Sequence, residues 1–249
     1  MQVFSEGAGP LIEAHDLTLR FRGRLAVSEV SFAIPRGTVT GLLGGNGAGK
    51  STTMRLLAGY FTPDQGRAAI AGHDTQTSPL AARAALGYLP EAPSGFPHLT
   101  VHEFLRFTAE CRGLAGILGR QAIGRAVEGL DLGTALSRTL GTLSKGWRQR
   151  AWLAQAILHD PPVLLLDEPA DGLDPGQRAQ FRHYIRSVAA TRAVLMSTHI
   201  LEEAEVMCDR LIVMQEGRVI ADGPIERFLD VQGRLGPAFA HLTNPGAAP

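Results

Sequence analysis

Two segments of this chain combine residues that handle phosphate with residues that handle a metal and a proton. The first, "GGNGAGKST" at 44–52, has the spacing Gly, four residues, Gly, Lys, Ser or Thr. Its glycines let successive backbone N–H groups turn inward onto phosphate oxygens, and a helix that follows points its positive end at the same anion. In this pattern Lys50 reaches the terminal phosphates and the Ser51 hydroxyl ligates Mg²⁺, while Gly44, Gly45, Asn46, Gly47, Ala48, Gly49 and Thr52 complete the cradle. The second segment, "VLLLDEP" at 163–169, is an apolar run that ends in two acids. Asp167, delivered to the carboxyl edge of a sheet, is placed to hold the cation through its water shell. Glu168 beside it can orient and deprotonate an attacking water. Together the two segments are compatible with kinases, GTPases and many ATPases, although no guanine-specifying Asn-Lys-x-Asp segment occurs.

The elements that must carry these residues are legible in outline. Alternation of apolar and polar residues from "LIEAHDLTLRF" to "SEVSFAI" predicts antiparallel strands with one wet face. "TVTGLL" is a short, nearly uniform apolar run leading through the glycine-rich loop into "KSTTMRLLAGY", a strand, loop and helix. "TPDQGR" reads as a turn, and Ser78-Pro79 as the start of a helix running to Gly87, followed by a strand-like "GYLPE". Thr100 and Glu103 have capping-box spacing, and 92–160 reads as mostly helical. Two buried-strand runs come after it at 163–167 and 193–198, separated by a helix around 181–188, so the sheet is parallel. "RLIVMQEGRVIADG" reads as a hairpin turning at Glu216 and Gly217, and "GPAFAHLTNPGAAP" receives no structure.

Composition sets the class. The chain has 249 residues, 45% hydrophobic, with 24 Lys plus Arg against 24 Asp plus Glu, so it lacks the basic excess of a nucleic-acid binder. Its two cysteines, Cys111 and Cys208, fit a reducing compartment and read as small core residues. Neither a secretory leader nor a membrane-length apolar run is expected.

Three further segments fix the family by their order. "LSKGWRQR" (143–150), "DEPADGLDP" (167–175) and "MSTHILEEAE" (196–205) come after the phosphate loop. Taken together, the chain resembles the nucleotide-binding subunit of an ABC transporter, over about 11–229. It is most similar to ATPases of ABC-2-type exporters, with the gliding-motility-associated branch nearest. The resemblance implies an α/β, P-loop NTPase fold of the ABC ATPase type. It comprises a parallel core sheet, an N-terminal antiparallel β subdomain and a helical subdomain at about 89–160. All would lie in one domain at 11–231, with a flexible tail at 232–249.

The resemblance also implies roles. Phe21 stands where the family has an aromatic that stacks on adenine, though a strand aromatic facing the core fits equally well. Glu91 occupies the place of a glutamine that touches Mg²⁺ and relays to the membrane domain. His199 matches the switch histidine that contacts the γ-phosphate, and Asp174 matches a loop that crosses to the partner subunit. Ser144 and Gly146 match the signature residues that bind the γ-phosphate held by the opposite subunit. Lys145 and Trp147 replace a glycine and a glutamine there. The expectation is that Lys145 adds positive charge near that phosphate and Trp147 packs into the helical subdomain. Trp147, Ala151, Ala154 and Leu158 fall on one helix face.

The family resemblance thus implies an ATP- and Mg²⁺-dependent ATPase, acting as a head-to-tail homodimer with a separate ABC-2-type permease on the cytoplasmic face of a membrane, without nucleic acid as partner. The rival readings are an ABC protein acting on ribosomes or DNA, and a regulatory module that binds ATP without turnover.

Overall fold

The computed structural model of the protein describes residues 9–243. In chain order it comprises β1 (Ile12–Phe21), β2 (Arg24–Ile34), β3 (Thr38–Leu43), α1 (Lys50–Leu57), β4 (Gln65–Ile70), β5 (His73–Asp74), α2 (Pro79–Ala84) and β6 (Leu86–Leu89). The helical part holds α3 (Val101–Cys111), α4 (Gly116–Gly129) and α5 (Lys145–Ile157). The chain closes with β7 (Val163–Asp167), α6 (Pro175–Ala189), β8 (Ala193–Thr198), α7 (Leu201–Met207), β9 (Arg210–Gln215), β10 (Arg218–Pro224) and α8 (Gly236–Thr243).

Two sheets result. One is antiparallel, in the order β2-β1-β4-β5; the other runs β10-β9-β3-β8-β7-β6, parallel throughout except for β10 at its edge. The uniform apolar character of β7 has its reason here, because both of its faces are covered. Leu164 and Leu166 join the core shared with α3, α5 and α6, while Val163 and Leu165 join the core shared with α1 and the antiparallel sheet. The helix α3 begins as its sequence dictates: the Thr100 side chain accepts from the Glu103 N–H, and the Glu103 carboxylate accepts from the Thr100 N–H at 2.8 Å.

Several expectations are corrected. The "TPDQGR" turn runs straight into β4, which pairs with β1 (Ile12 opposite Ile70). That partner, distant in sequence, pairs along most of the segment and makes it a strand. Helix α2 stops at Ala84, and the stretch between β6 and Val101 is a loop, so the helical region is shorter at its start than the sequence suggests. Cys208 is buried but Cys111 is exposed at the end of α3. The segment expected to be a structureless tail contains α8. Leu235, Phe239 and Leu242, at helical spacing, close against Leu43, Leu211, Val213 and Phe228. Burying that apolar stripe stabilises a helix whose leading Gly and Pro argue against one. Residues 244–249 of the expected tail lie outside the described residues.

His159, just beyond α5, ties the helical part to β6. Its Nε2 lies 3.1 Å from the Leu86 carbonyl oxygen, and its Nδ1 is buried without a partner. Burial, helped by the charges of Arg112 and Arg192, pushes its pKa from 6.5 down to about 4. The fold therefore holds the neutral ring while the unfolded chain takes up a proton below its higher pKa. The stabilisation is complete above the unfolded value and is lost as pH falls toward the folded one. The expected outcome is a loss of about 2 kcal/mol between about pH 7 and about pH 5, read from denaturant unfolding, and a flatter profile in His159→Gln.

Candidate functional site

Strand β3 delivers the phosphate loop to the carboxyl edge of the parallel sheet, and α1 begins at Lys50. The residue before it, Gly49, has φ +101 and makes no side-chain cap, and the first turn carries no acid. The N–H groups at this helix end are thus left to an anion. A Cβ on Gly49 would lie 2.8 Å from the Ala26 carbonyl oxygen, so the loop's fit against β2 also demands glycine. The Gly217 N–H donates to the Ala48 carbonyl at 3.0 Å and holds the loop on the β9–β10 turn. Lys50 Nζ donates to the Gly44 and Gly45 carbonyls at 2.7 and 3.3 Å and lies 4.0 Å from Glu168 Oε1.

Asp167 at the end of β7 is fully buried. Its Oδ1 accepts from Ser197 Oγ at 2.6 Å and from Ser51 Oγ at 3.2 Å, while its Oδ2 is buried without a hydrogen-bond partner. A buried carboxylate oxygen so placed calls for a cation. No group of three or more His, Cys, Asp or Glu able to hold a metal occurs among the described residues. Ser51 and Asp167 therefore suit a cation that takes few protein ligands and draws the rest from phosphate and water, as Mg²⁺ does.

Glu168 has φ +48, a left-handed conformation uncommon for a residue with a Cβ. Its N–H donates to Ser197 Oγ at 2.9 Å, and its Oε2 lies 2.9 Å from His199 Nδ1. Ser197, absent from the sequence-based candidates, thus orients both acids. The signal for it was its position at the end of an apolar strand: in the β7–β8 pairing it lies opposite Asp167.

A cleft of about 710 Å³ opens over these groups. Phe21, Asn46, Gly47, Ala48, Gly49, Lys50, Ser51, Thr52, Glu91 and Glu168 line it, joined by Arg24, Leu25, Ala26, Glu216 and Gly217, which sequence reasoning did not single out. Arg24, Leu25 and Ala26 open strand β2 and Glu216 and Gly217 form the β9–β10 turn, and no local pattern records that these two hairpins meet at the cleft. Phe21 is 43% exposed and meets Phe61 edge-on with ring centroids 5.2 Å apart, so it is not a core-facing aromatic. Glu91 is exposed in the loop after β6.

Ser144 and Gly146 do not line this cleft. They sit at the start of α5, where Ser144 Oγ accepts from the Trp147 N–H at 3.5 Å. This end of α5 packs on the loop after Glu168. Gln149 Nε2 donates to the Pro169 carbonyl at 3.3 Å, and Lys145 Nζ lies 2.6 Å from Asp171 Oδ2. Gly172, with φ +75, gives the Lys145 stem room: a Cβ there would come within 2.3 Å of Lys145 Cδ. Within one chain, then, the Lys145 charge is paired with Asp171. Trp147 packs against the helical core and carries the Arg150 guanidinium 3.9 Å above its ring. Asp174 caps α6, accepting from the Gln177 N–H at 2.9 Å. One chain brings together Lys50, Ser51, Asp167, Glu168 and His199, but not the signature residues.

The family profile described as "ABC transporter" matches residues 27–171. The chain is 39% identical over 214 residues to the "Probable multidrug ABC transporter ATP-binding protein YbhF" of Escherichia coli (strain K12), covering 86% of this chain and 37% of that protein. It thus spans little more than a third of that relative's length. It is 37% identical over 213 residues to the "Nod factor export ATP-binding protein I" of Burkholderia orbicola (strain AU 1054), covering 85% of this chain and 70% of that protein. Among solved structures, "Structure of ATP binding subunit of ABC transporter" superposes with a TM-score of 0.85 at 31% identity, covering 93% of this chain and 99% of the other. The fold is that of the ABC ATPase cassettes, and none of these names refers to gliding motility.

The serine that orients the two acids provides a direct check. Ser197→Ala removes a hydroxyl from Asp167 and strands the Glu168 N–H in the interior. A loss of about 1–3 kcal/mol is expected in denaturant unfolding. A loss below about 0.5 kcal/mol would mean that the acids do not depend on this bond.

Proposed function

Because the chain belongs to the ABC transporter ATP-binding family, we propose that it hydrolyses Mg-ATP to drive transport, most directly export, through a separate membrane permease. The observation that carries this reading is Glu168, buried at the cleft floor between Lys50 and His199. A carboxylate held in that position beside a phosphate loop can act as general base for an attacking water. Phe21 stacks on the adenine. Gly44, Gly45, Asn46, Gly47, Ala48, Gly49 and Thr52 cradle the phosphates, with Lys50 on the terminal ones. Ser51 and Asp167 hold Mg²⁺, with Glu91 supplying a further oxygen. A cation held there would supply positive charge against the phosphates of the nucleotide. Glu168 takes a proton from the water, and His199 orients Glu168 while touching the γ-phosphate.

The chain carries one copy of each motif, and its signature residues lie outside its own cleft. A head-to-tail pair of identical chains supplies Ser144 and Gly146 to the ATP held by the opposite Lys50. Helix α5 begins at Lys145, so those two residues sit at its positive end, suited to a phosphate. In that assembly Asp174 lies in the loop that crosses to the partner, and Lys145 can exchange Asp171 for the phosphate. No helix among the described residues is long and apolar enough to cross a membrane. An ABC-2-type permease, with this chain on its cytoplasmic face, fits the export function in the name of the Burkholderia relative.

Glu168→Gln tests the reading. The variant is expected to bind Mg-ATP and form a stable dimer in size-exclusion chromatography, with turnover at least about a hundredfold below wild type. Unchanged turnover removes Glu168 from the base role. Co-sedimentation of the native protein with ribosomes in place of membranes would overturn the transporter assignment.

A further inference from the structure

His199 occupies a position that its own surroundings do little to fix. It lies in the bend between β8 and α7, its side chain is about half exposed, and the N-cap of α7, Ile200, makes no side-chain cap. Yet the proposed reaction requires its Nδ1 to stay within hydrogen-bond reach of Glu168. Errors of an ångström in such a contact lower rates by about a hundredfold.

A chain of four contacts brackets the histidine on both sides. Thr198 Oγ1 accepts the Ile200 N–H at 3.0 Å and donates to Glu203 Oε2 at 3.3 Å. Glu203 Oε1 lies 3.4 Å from Arg178 Nη1, and Arg178 Nε donates to the Leu173 carbonyl at 3.0 Å. The path runs from the residues flanking His199, across α7 and α6, into the loop that follows Glu168. It therefore links the two segments that carry the two members of the Glu168–His199 pair.

Glu203 is an expensive way to pack α7. Its side chain is only 11% exposed, its Oε1 has no hydrogen-bond partner within normal range, and burial raises its pKa. An apolar residue would serve helix packing at least as well, since buried ion pairs add little net stability. What an ion pair supplies and an apolar residue does not is direction: it fixes Thr198 Oγ1 and Arg178 in one relative arrangement.

We infer that Glu203 and Arg178 are positioning residues that set His199 against Glu168, coupling the histidine's bend to the loop between Glu168 and Asp174. Neither residue lines the cleft or belongs to the phosphate loop, so the expected effect is on the chemical step and not on nucleotide affinity. The inference rests on the hydrolytic reading of the site.

The test is steady-state ATP hydrolysis by the full chain as Glu203→Ala, Glu203→Gln, Arg178→Ala, His199→Ala and the double variant Glu203→Ala/His199→Ala, with binding of a fluorescent ATP analogue measured in parallel. Glu203→Ala should lower kcat about tenfold or more with KM and analogue affinity within about twofold, Glu203→Gln should lie between it and wild type, and Arg178→Ala should follow Glu203→Ala. In the His199→Ala background the Glu203→Ala change should lower kcat by less than about twofold, because its effect acts through the missing imidazole. A merely structural role predicts the same fold-loss in both backgrounds, or a rise in KM that tracks falling thermal stability; either result overturns the inference, as does unchanged kcat. Glu203→Gln preserves size and an acceptor oxygen and keeps the test valid if the alanine variant does not fold. Wild-type hydrolysis that Lys50→Ala does not abolish overturns the hydrolytic reading itself, and this inference with it.

Discussion

A carboxylate buried at the carboxyl edge of a parallel sheet is the constraint around which the site is built. Asp167 ends a strand whose other residues are apolar and covered on both faces, so its charge stands where water cannot solvate it. Two hydroxyls meet one of its oxygens, and the other is left for a cation. Those hydroxyls come from α1 and β8. The registers that bring them there, Asp167 opposite Ser197 and Leu43 opposite Thr198, fix the relative depth of the phosphate loop, the acids and the histidine. A slip of one residue would turn Asp167 away from both hydroxyls, so the geometry of the site is inherited from strand pairing.

The loop after Glu168 serves as the junction for everything else. Backbone strain at Glu168 starts it, the capping box of Asp174 and Gln177 ends it, and between them it receives Gln149 and Lys145 from the helical part and Arg178 from α6. These ties differ in strength. The Lys145–Asp171 pair is about half exposed at both ends, where such pairs contribute only about 0–1 kcal/mol. It can exchange partners easily. The Gln149 bond is buried, and so is the Glu203 end of the Arg178 pair, and these hold the loop in place. The proposed head-to-tail pairing would need this combination of a firm frame and a loosely held charge.

Much of this was legible in the sequence because the decisive signals are local. A glycine-rich loop between an apolar strand and a helix, a strand that ends in two acids, and a capping box at Thr100 each state their geometry within a few residues. What escaped is what depends on partners far along the chain. Strand β4 exists because β1 pairs with it, although its own sequence begins as a turn. Arg24, Ala26 and Gly217 reach the cleft because the start of β2 and the β9–β10 turn meet at the phosphate loop. Ser197 is read as the last residue of a strand until the neighbouring strand places an aspartate beside it. Lys145 was expected near a phosphate, and its pairing with Asp171 could not be seen because neither residue signals the other across the intervening helix and strand.

Helix α8 carries a consequence for how the protein behaves in solution. Leu235, Phe239 and Leu242 cover Leu43, Leu211, Val213 and Phe228, and the Leu235 N–H is anchored on Glu205 Oε1 at 2.7 Å. Were the helix to detach, an apolar strip backed by the central sheet would face water, a surface of the kind that drives proteins into non-specific aggregates. The colloidal behaviour of the molecule is therefore decided far from its chemistry, by whether one short, glycine-led helix stays docked.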